Sequence, residues 1–75
     1  MYYLSYMKRD YKILLYEVRM EHGLTLKQME ELTGISKTTL NEIENDHRSP
    51  TLETLVQIAK ALDIKVSDLF ESDYK

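Results

Sequence analysis

Residues 25–45, TLKQMEELTGISKTTLNEIEN, decide how this chain folds. The segment holds two helical patterns joined by a TGIS turn. Thr25 is placed to cap the first helix, and Gln28 at the third helical position completes a capping box. Gly34 stands where the chain must turn sharply, which favours a residue that accepts a positive φ. Because Ser36 is placed to cap the second pattern, the segment predicts two short helices joined by a tight turn.

The two predicted helices each have an apolar side and a polar side. Met29 and Leu32 give the first helix its apolar side, and Leu40 and Ile43 do the same for the second. The opposite side of the second helix carries short or flexible hydrogen-bonding side chains, namely Lys37, Thr38, Asn41, Glu42 and Asn45. An ordinary solvated helix would carry mainly Glu and Lys there. A helix that presents such a side after a tight turn is shaped to enter the major groove of DNA.

Helical patterns also flank this segment. Asp10 is placed to cap a helix that runs to about His22, and Gly23 is placed to end it. The buried stripe of that first helix would hold Tyr11, Leu14, Leu15 and Val18. Pro50 prevents the second motif helix from continuing, and Thr51 is placed to cap a fourth helix. The apolar stripe of the fourth helix would hold Leu52, Leu55, Ile58, Ala59 and Leu62.

The end of the chain completes the predicted fold. A fifth short helix is predicted over about residues 66–71, and no segment shows the sustained alternation of a strand. The fold class is therefore all-α, a compact five-helix bundle in which helices 2 and 3 form the motif. We divide the chain into a Tyr-rich extension over 1–10, a helical domain over 11–71 and a tail over 72–75.

The composition excludes several classes of protein. Seventy-five residues make one small domain, and no apolar run approaches the length of a membrane span. The chain has no cysteine, which excludes disulfides and thiolate metal sites and fits an intracellular protein. The first ten residues lack the basic leader and long aliphatic stretch of a signal peptide. We therefore expect a cytoplasmic location.

Enzymatic function finds no support in the sequence. There is no Gly-rich phosphate loop, no metal-ligand spacing, and no Ser or His in a nucleophile arrangement. His22 and His47 are too far apart in sequence to suggest a metal site. We expect the protein not to be an enzyme and to need neither a cofactor nor a metal.

The net charge of −3 is awkward for a nucleic-acid binder, because phosphate contacts supply most non-specific affinity. The positions of the cations matter more than the total. Cationic and small polar side chains fall near the ends of the two motif helices. Most of the acids lie in the first helix, the fourth helix and the C-terminal stretch. That asymmetry is compatible with DNA binding at the motif.

Residues 23–70, GLTLKQMEELTGISKTTLNEIENDHRSPTLETLVQIAKALDIKVSDLF, resemble the Cro- or Xre-type helix-turn-helix domain of the lambda-repressor-like family. The most specific pieces are LT at 24–25, TGIS at 33–36, Leu40 with Ile43 and Glu44, RSP at 48–50, and the LETLVQIAKAL helix. The resemblance covers nearly everything from Tyr11 to Phe70. It implies a compact helical bundle, usually a homodimer, that binds double-stranded operator DNA and regulates transcription in a prokaryotic or phage-type context.

The resemblance also implies roles for individual residues. The base-reading positions of the family match Lys37, Thr38 and Glu42. The phosphate-contacting positions match Thr25, Ser36, Asn41, Asn45, His47, Arg48 and Ser49, and Lys27 is a further phosphate contact beside them. In the family an ion pair lies under the recognition helix, and here it would join Arg19 to Glu44.

Three positions depart from the family pattern. Leu26 replaces a Gln that often touches the DNA backbone, a contact that Lys27 or the free N–H groups at the helix start could replace. Glu30 replaces an Ala where the two motif helices approach closely, so its carboxylate must reach solvent or a donor on the next helix. Asp46 replaces the Gly after the recognition helix, but Asp tolerates the left-handed conformation.

We therefore predict a sequence-specific DNA-binding transcriptional regulator that acts as a repressor, because a small dimer can block polymerase by occupancy alone. One alternative is an antitoxin or restriction-controller type autoregulator of the same fold. Another is a protein-interaction module with little DNA affinity, which the acidic balance, Glu42 and Leu26 favour and the basic pair His47 and Arg48 opposes.

Assembly and regulation have open alternatives. The homodimer contact is predicted near the fourth and fifth helices, around residues 64–70. The rival surface is the start of the chain, with Tyr2, Tyr3, Leu4 and Tyr6. A regulatory signal would come through a partner protein, proteolysis, cellular concentration or the N-terminal extension.

Overall fold

The computed structural model describes residues 10–74, which form four α-helices, one 3₁₀ turn and two short strands. In chain order the elements are β1 (Lys12–Ile13), α1 (Leu15–Glu21), α2 (Leu26–Thr33), α3 (Lys37–Glu44), α4 (Leu52–Leu62), the 3₁₀ turn (Val66–Leu69) and β2 (Phe70–Glu71). No helix within these residues is long and apolar enough to cross a membrane. Apart from Asp10, the predicted Tyr-rich extension lies outside the described residues.

The prediction of a mainly helical fold is confirmed, but the prediction of five helices is wrong. The expected fifth helix is only a 3₁₀ turn of four residues, after which the chain becomes extended. There β2 pairs antiparallel with β1, and Ile13 lies opposite Phe70. Each strand has two residues, which is too short for an alternating pattern to be visible in the sequence.

The start of the first helix also differs from the prediction. Asp10 does not cap it, because α1 begins at Leu15 after the strand β1. Instead, the backbone carbonyl of Asp10 accepts a hydrogen bond from Ser72 Oγ at 2.6 Å. The backbone N–H of Leu14 donates to the carbonyl of Leu69 at 2.9 Å. The two ends of the described chain are thus joined, and this pairing replaces the first turn of the predicted helix.

The hydrophobic core lies between the four helices and the 3₁₀ turn. Its buried apolar members are Leu15, Val18, Met29, Leu40, Ile43, Leu55, Ile58, Ala59 and Leu69. Three residues assigned to apolar stripes are more exposed than expected: Leu52 is 69% exposed, Leu32 52% and Tyr11 38%. Successive helical residues point about 100° apart, so α2 buries Met29 and Thr33, one turn apart, and turns Leu32 away.

The turn between α2 and α3 is held by one backbone conformation and one buried hydroxyl. Gly34 has φ 77° and donates its N–H to the carbonyl of Glu30, as predicted for a left-handed C-cap. Thr33 Oγ1 donates to the Met29 carbonyl at 2.7 Å and accepts from the Ile35 N–H at 3.1 Å. The buried Thr33 side chain therefore has its hydrogen bonds satisfied.

The C-terminus of α3 ends in a Schellman motif. Asp46 has φ 65° and donates its N–H to the carbonyl of Ile43, while the N–H of His47 donates to the carbonyl of Glu42 at 2.8 Å. The expectation that Asp46 can replace the usual Gly is confirmed. The motif folds the chain back over the last turn of α3, so the residues that follow His47 lie beside that helix.

We predict that Gly34→Ala lowers the free energy of unfolding by about 1 kcal/mol, because an L side chain is strained at this φ. A Cβ at this position would meet only Gln57 Nε2 at 3.7 Å, so strain rather than a clash sets the cost. Urea unfolding measures the change. Gly34→Asn is the control and should recover part of the loss, since Asn tolerates the left-handed region; equal stability of wild type and Gly34→Ala contradicts the argument.

Candidate nucleic-acid interface

The polar side of α3 is a continuous surface. At about 100° per residue, an arc of about 140° holds the predicted polar positions Lys37, Thr38, Asn41, Glu42 and the C-cap Asn45, and the buried Leu40 and Ile43 lie outside that arc. Lys37, Thr38, Asn41 and Asn45 are exposed, and Glu42 is partly exposed. The structure therefore brings the predicted base-reading residues together on the side of α3 that faces away from the core.

The start of α3 is fixed by two side chains. Ser36 caps it, accepting from the Thr39 N–H at 3.1 Å. Glu30, on α2, accepts from the backbone N–H of Lys37 through Oε2 at 3.2 Å. The donor that the Glu30 carboxylate was expected to need is thus the first N–H of α3. The bond ties α2 to α3 across the turn and leaves the Lys37 side chain exposed.

Two predicted phosphate contacts, Thr25 and Lys27, lie at the start of α2. Thr25 and Gln28 form the expected capping box. The Gln28 N–H donates to Thr25 Oγ1 at 3.0 Å, and the Thr25 N–H donates to Gln28 Oε1 at 2.8 Å. Thr25 and Lys27 are exposed. Leu26 is half-buried and packs against the core, so packing is its structural role. Lys27 is therefore the cation available at this helix start.

The loop after α3 contains contacts that the sequence pattern did not predict. Arg48 Nε and Nη2 lie 2.9 Å and 2.8 Å from Oε1 of Glu42, on the last turns of α3. Asn45 Nδ2 donates to the carbonyl of Asn41 at 2.9 Å and to its Oδ1 at 3.0 Å. The spacing between Glu42 and Arg48 is not a helical one, and the chain reversal of the Schellman motif lies between them. The carboxylate expected to face a base is thus engaged by a predicted phosphate contact.

Ser49, another predicted phosphate contact, bonds to the N-terminal segment. Its Oγ lies 3.1 Å from the hydroxyl of Tyr11. That bond links the loop after α3 to the residue before β1. No sequence pattern predicts this bond, because a serine hydroxyl in a loop has no preferred distant partner. His47, beside it, is exposed.

An ion pair lies beneath α3. Arg19, in the last turn of α1, donates through Nε to Glu44 Oε2 at 2.7 Å and through Nη2 to Oε1 at 3.0 Å. Its Nη1 donates to the Leu24 carbonyl at 2.9 Å. The two charged side chains are only 12% and 5% exposed. This bidentate geometry holds the end of α3 against α1 and against the segment that leads into α2.

The surroundings of Arg19 keep it charged. The hydrogen bond to Glu44 raises the pKa of Arg19, although burial acts in the opposite direction. The guanidinium carbon also lies 5.4 Å from the centre of the Tyr16 ring, within the range of a cation–π contact. The hydrogen bond and the ring contact therefore both favour the charged form of Arg19.

Comparison with known proteins matches residues 15–69 to a family model described as helix-turn-helix. The HTH-type transcriptional regulator SutR of Escherichia coli (strain K12) is 40% identical over 51 residues, which cover 68% of this chain and 29% of that protein. The Immunity repressor protein of Bacillus phage phi105 is 42% identical over 50 residues, covering 67% of this chain and 35% of that protein.

A third relative, Control protein C.SmaI of Serratia marcescens, is 35% identical over 48 residues, covering 64% of this chain and 57% of that protein. The chain therefore spans less than two thirds of the length of each of these three relatives.

We predict that Arg19→Ala and Glu44→Ala each lower the free energy of unfolding by roughly 3–5 kcal/mol, because each leaves a buried charge without its partner. Thermal and urea unfolding measure the loss. Lys12→Ala is the matched control, since it breaks an exposed pair with Glu17 and should cost less than about 1 kcal/mol. Unfolding of either pair variant at the wild-type midpoint would show that the pair does not support α3.

Proposed function

We propose that this chain, which belongs to the Cro/C1-type helix-turn-helix family, is a sequence-specific DNA-binding transcriptional regulator that acts as a repressor. Regulators of this family bind double-stranded DNA. The observation that carries the proposal is the exposed polar side of α3, which lies opposite the buried Leu40 and Ile43 and begins directly after a tight turn. A helix of this kind fits the major groove, which is wide enough to admit it. A cytoplasmic location follows from the proposed target.

Base reading is assigned to three side chains of α3. Lys37 can donate to guanine O6 or N7, and Thr38 can donate, accept, or place its methyl group against thymine. Glu42 can accept from cytosine N4 once its carboxylate leaves Arg48. The exposure of Lys37 and Thr38 supports this assignment, because within residues 10–74 neither side chain has to break a hydrogen bond or an ion pair before it meets a base.

Phosphate contacts are assigned to both ends of the motif. The residues are Thr25, Lys27, Ser36, Asn41, Asn45, His47, Arg48 and Ser49, all of them exposed. Backbone contacts of this kind set the position of the protein on the duplex but carry no direct sequence information. The caps at Thr25 and Ser36 support the assignment, since they place hydroxyl groups at the two helix N-termini, where anions bind favourably.

Repression by occupancy needs nothing beyond tight binding at a promoter. The likeness to the phage Immunity repressor protein supports repression rather than activation. The likeness to Control protein C.SmaI favours a second candidate, a controller that regulates its own operon. A genomic selection of bound fragments separates the two, because an autoregulator enriches the DNA that lies beside its own gene.

We also propose a homodimer, because one recognition helix covers few base pairs and a two-fold dimer reads two half-sites. Around residues 64–70 little apolar surface remains for a partner, since Leu69 is fully buried and Ile64 and Val66 pack against the core. Among the exposed apolar side chains of residues 10–74, Leu52 at 69% and Val56 at 44% lie one turn apart on α4. We therefore place the contact with the second copy on this side of α4.

We predict that Lys37→Ala relaxes the preference for one base pair of the operator, at a cost of about 1–3 kcal/mol in discrimination. Lys27→Ala is the matched control, because it removes the same charge from a proposed phosphate contact. It should weaken binding to all sequences alike and reduce the dependence of log K on log salt by about one. Selection from random duplexes, followed by titration at several salt concentrations, measures both variants.

Two outcomes of that selection contradict the proposal in different ways. If the wild-type protein enriches no motif at moderate salt, the chain does not recognise a DNA sequence, and a protein-interaction module takes its place. If Lys37→Ala and Lys27→Ala change affinity and preference identically, α3 does not lie in the groove as proposed.

We predict that operator footprints show two half-sites with centres about 34–36 Å apart, each occupied by one chain. Leu52→Glu should shift the protein toward monomer in sedimentation experiments, because it places a charge in the proposed contact. Leu32→Glu is the control, because Leu32 is 52% exposed on α2 and lies outside that contact. A single unsymmetrical half-site bound by one chain contradicts the dimer, and dissociation by Leu32→Glu alone contradicts the surface.

A further inference from the structure

The ion pair between Glu42 and Arg48 joins two residues that the proposed function assigns to different parts of the DNA. Glu42 lies on the groove-facing arc of α3, and Arg48 lies in the loop that follows. Both contacts, from Nε at 2.9 Å and from Nη2 at 2.8 Å, end on the same oxygen, Glu42 Oε1. In this arrangement the cation proposed to bind phosphate is already bound by a carboxylate of the same chain.

The pair is a product of the backbone that ends α3. The carbonyl of Glu42 accepts the N–H of His47 in the Schellman motif, so the chain reverses direction directly before Arg48. Asp46 in the left-handed conformation makes this reversal possible. The backbone thus brings Arg48 close to Glu42 through contacts within the chain itself.

We infer that Glu42 is a specificity-determining residue that competes with DNA phosphate for Arg48 and so weakens binding to random sequences. The inference rests on the proposed function, since it needs α3 in the major groove. A phosphate that approaches Arg48 meets a guanidinium whose charge is partly neutralised, and it also meets the Glu42 carboxylate itself. Both effects lower the affinity of the loop for any DNA backbone.

The operator differs from random DNA in what it offers Glu42. Where the groove presents a cytosine amino group at the right position, the carboxylate exchanges Arg48 for that donor and frees Arg48 for phosphate. Where it presents no donor, the exchange leaves a carboxylate without a partner beside the DNA. Glu42 therefore makes the phosphate contact of Arg48 depend on the base sequence.

The size of the effect follows from the exposure of the pair. The side chains of Arg48 and Glu42 are 54% and 37% exposed, and an exposed ion pair changes an equilibrium constant by a factor of about two to five. The pair is therefore weak enough for an operator to break and strong enough to reduce random binding measurably.

The test is the affinity of Glu42→Gln for a random-sequence duplex and for the selected operator, at several salt concentrations. We expect random binding to rise by about two- to five-fold, with the salt slope steeper by up to about one. Operator binding should rise less or fall, so the ratio of the two affinities decreases. Thermal melting of each variant confirms that it is folded.

Two further variants separate competition from net charge. Glu31→Gln removes the same charge from an exposed residue of α2 that has no ion pair within residues 10–74, and it should raise random binding less than Glu42→Gln. In an Arg48→Ala background, Glu42→Gln should raise the affinity for the random-sequence duplex no more than Glu31→Gln does.

The inference is overturned if Glu42→Gln lowers random binding, which would mean that Glu42 orients Arg48 toward phosphate. It is also overturned if the gain persists without Arg48, or if Glu31→Gln gives an equal gain. In each of these cases the wild-type protein still selects an operator. Failure of the proposed function is distinct, because then the wild-type protein selects none.

Discussion

The buried ion pair between Arg19 and Glu44 is the interaction on which the geometry of the motif depends. A charge in the interior is costly unless hydrogen bonds replace its water, and Arg19 meets that need with both carboxylate oxygens of Glu44 and the carbonyl of Leu24. Those three bonds connect α1 to the end of α3 and to the segment before α2. They therefore fix the helix that presents the polar surface relative to the helix that supports it.

Partners within the domain for charged side chains also explain how an acidic chain can present a DNA-binding surface. Three carboxylates of the two motif helices have partners inside the domain: Glu30 accepts from the first N–H of α3, Glu42 from Arg48 and Glu44 from Arg19. Glu30 and Glu44 make structural contacts, and Glu42 competes with DNA phosphate for Arg48. The net charge of −3 is therefore a poor guide to the electrostatic field at the motif. Lys37 and Lys27 remain exposed at the helix starts.

Features that depend on a few neighbouring residues were predictable from the sequence, and features that depend on distant pairing were not. The caps at Thr25 and Ser36 and the left-handed Gly34 were predicted correctly, because each is decided within about four residues. The expected cap at Asp10 and the fifth helix were wrong because β1 and β2 pair across almost the whole domain. Two residues on each strand leave no periodic signal.

The sequence by itself determined the helix-turn-helix, its polar side and the family, since helical periodicity, capping and turn chemistry are local properties. Only the tertiary structure decided which exposed groups have partners. Nothing in the order of residues indicates that Glu42 meets Arg48 or that Tyr11 meets Ser49. Those contacts depend on where the backbone places two side chains in space, and that placement is fixed only when the helices pack around one core.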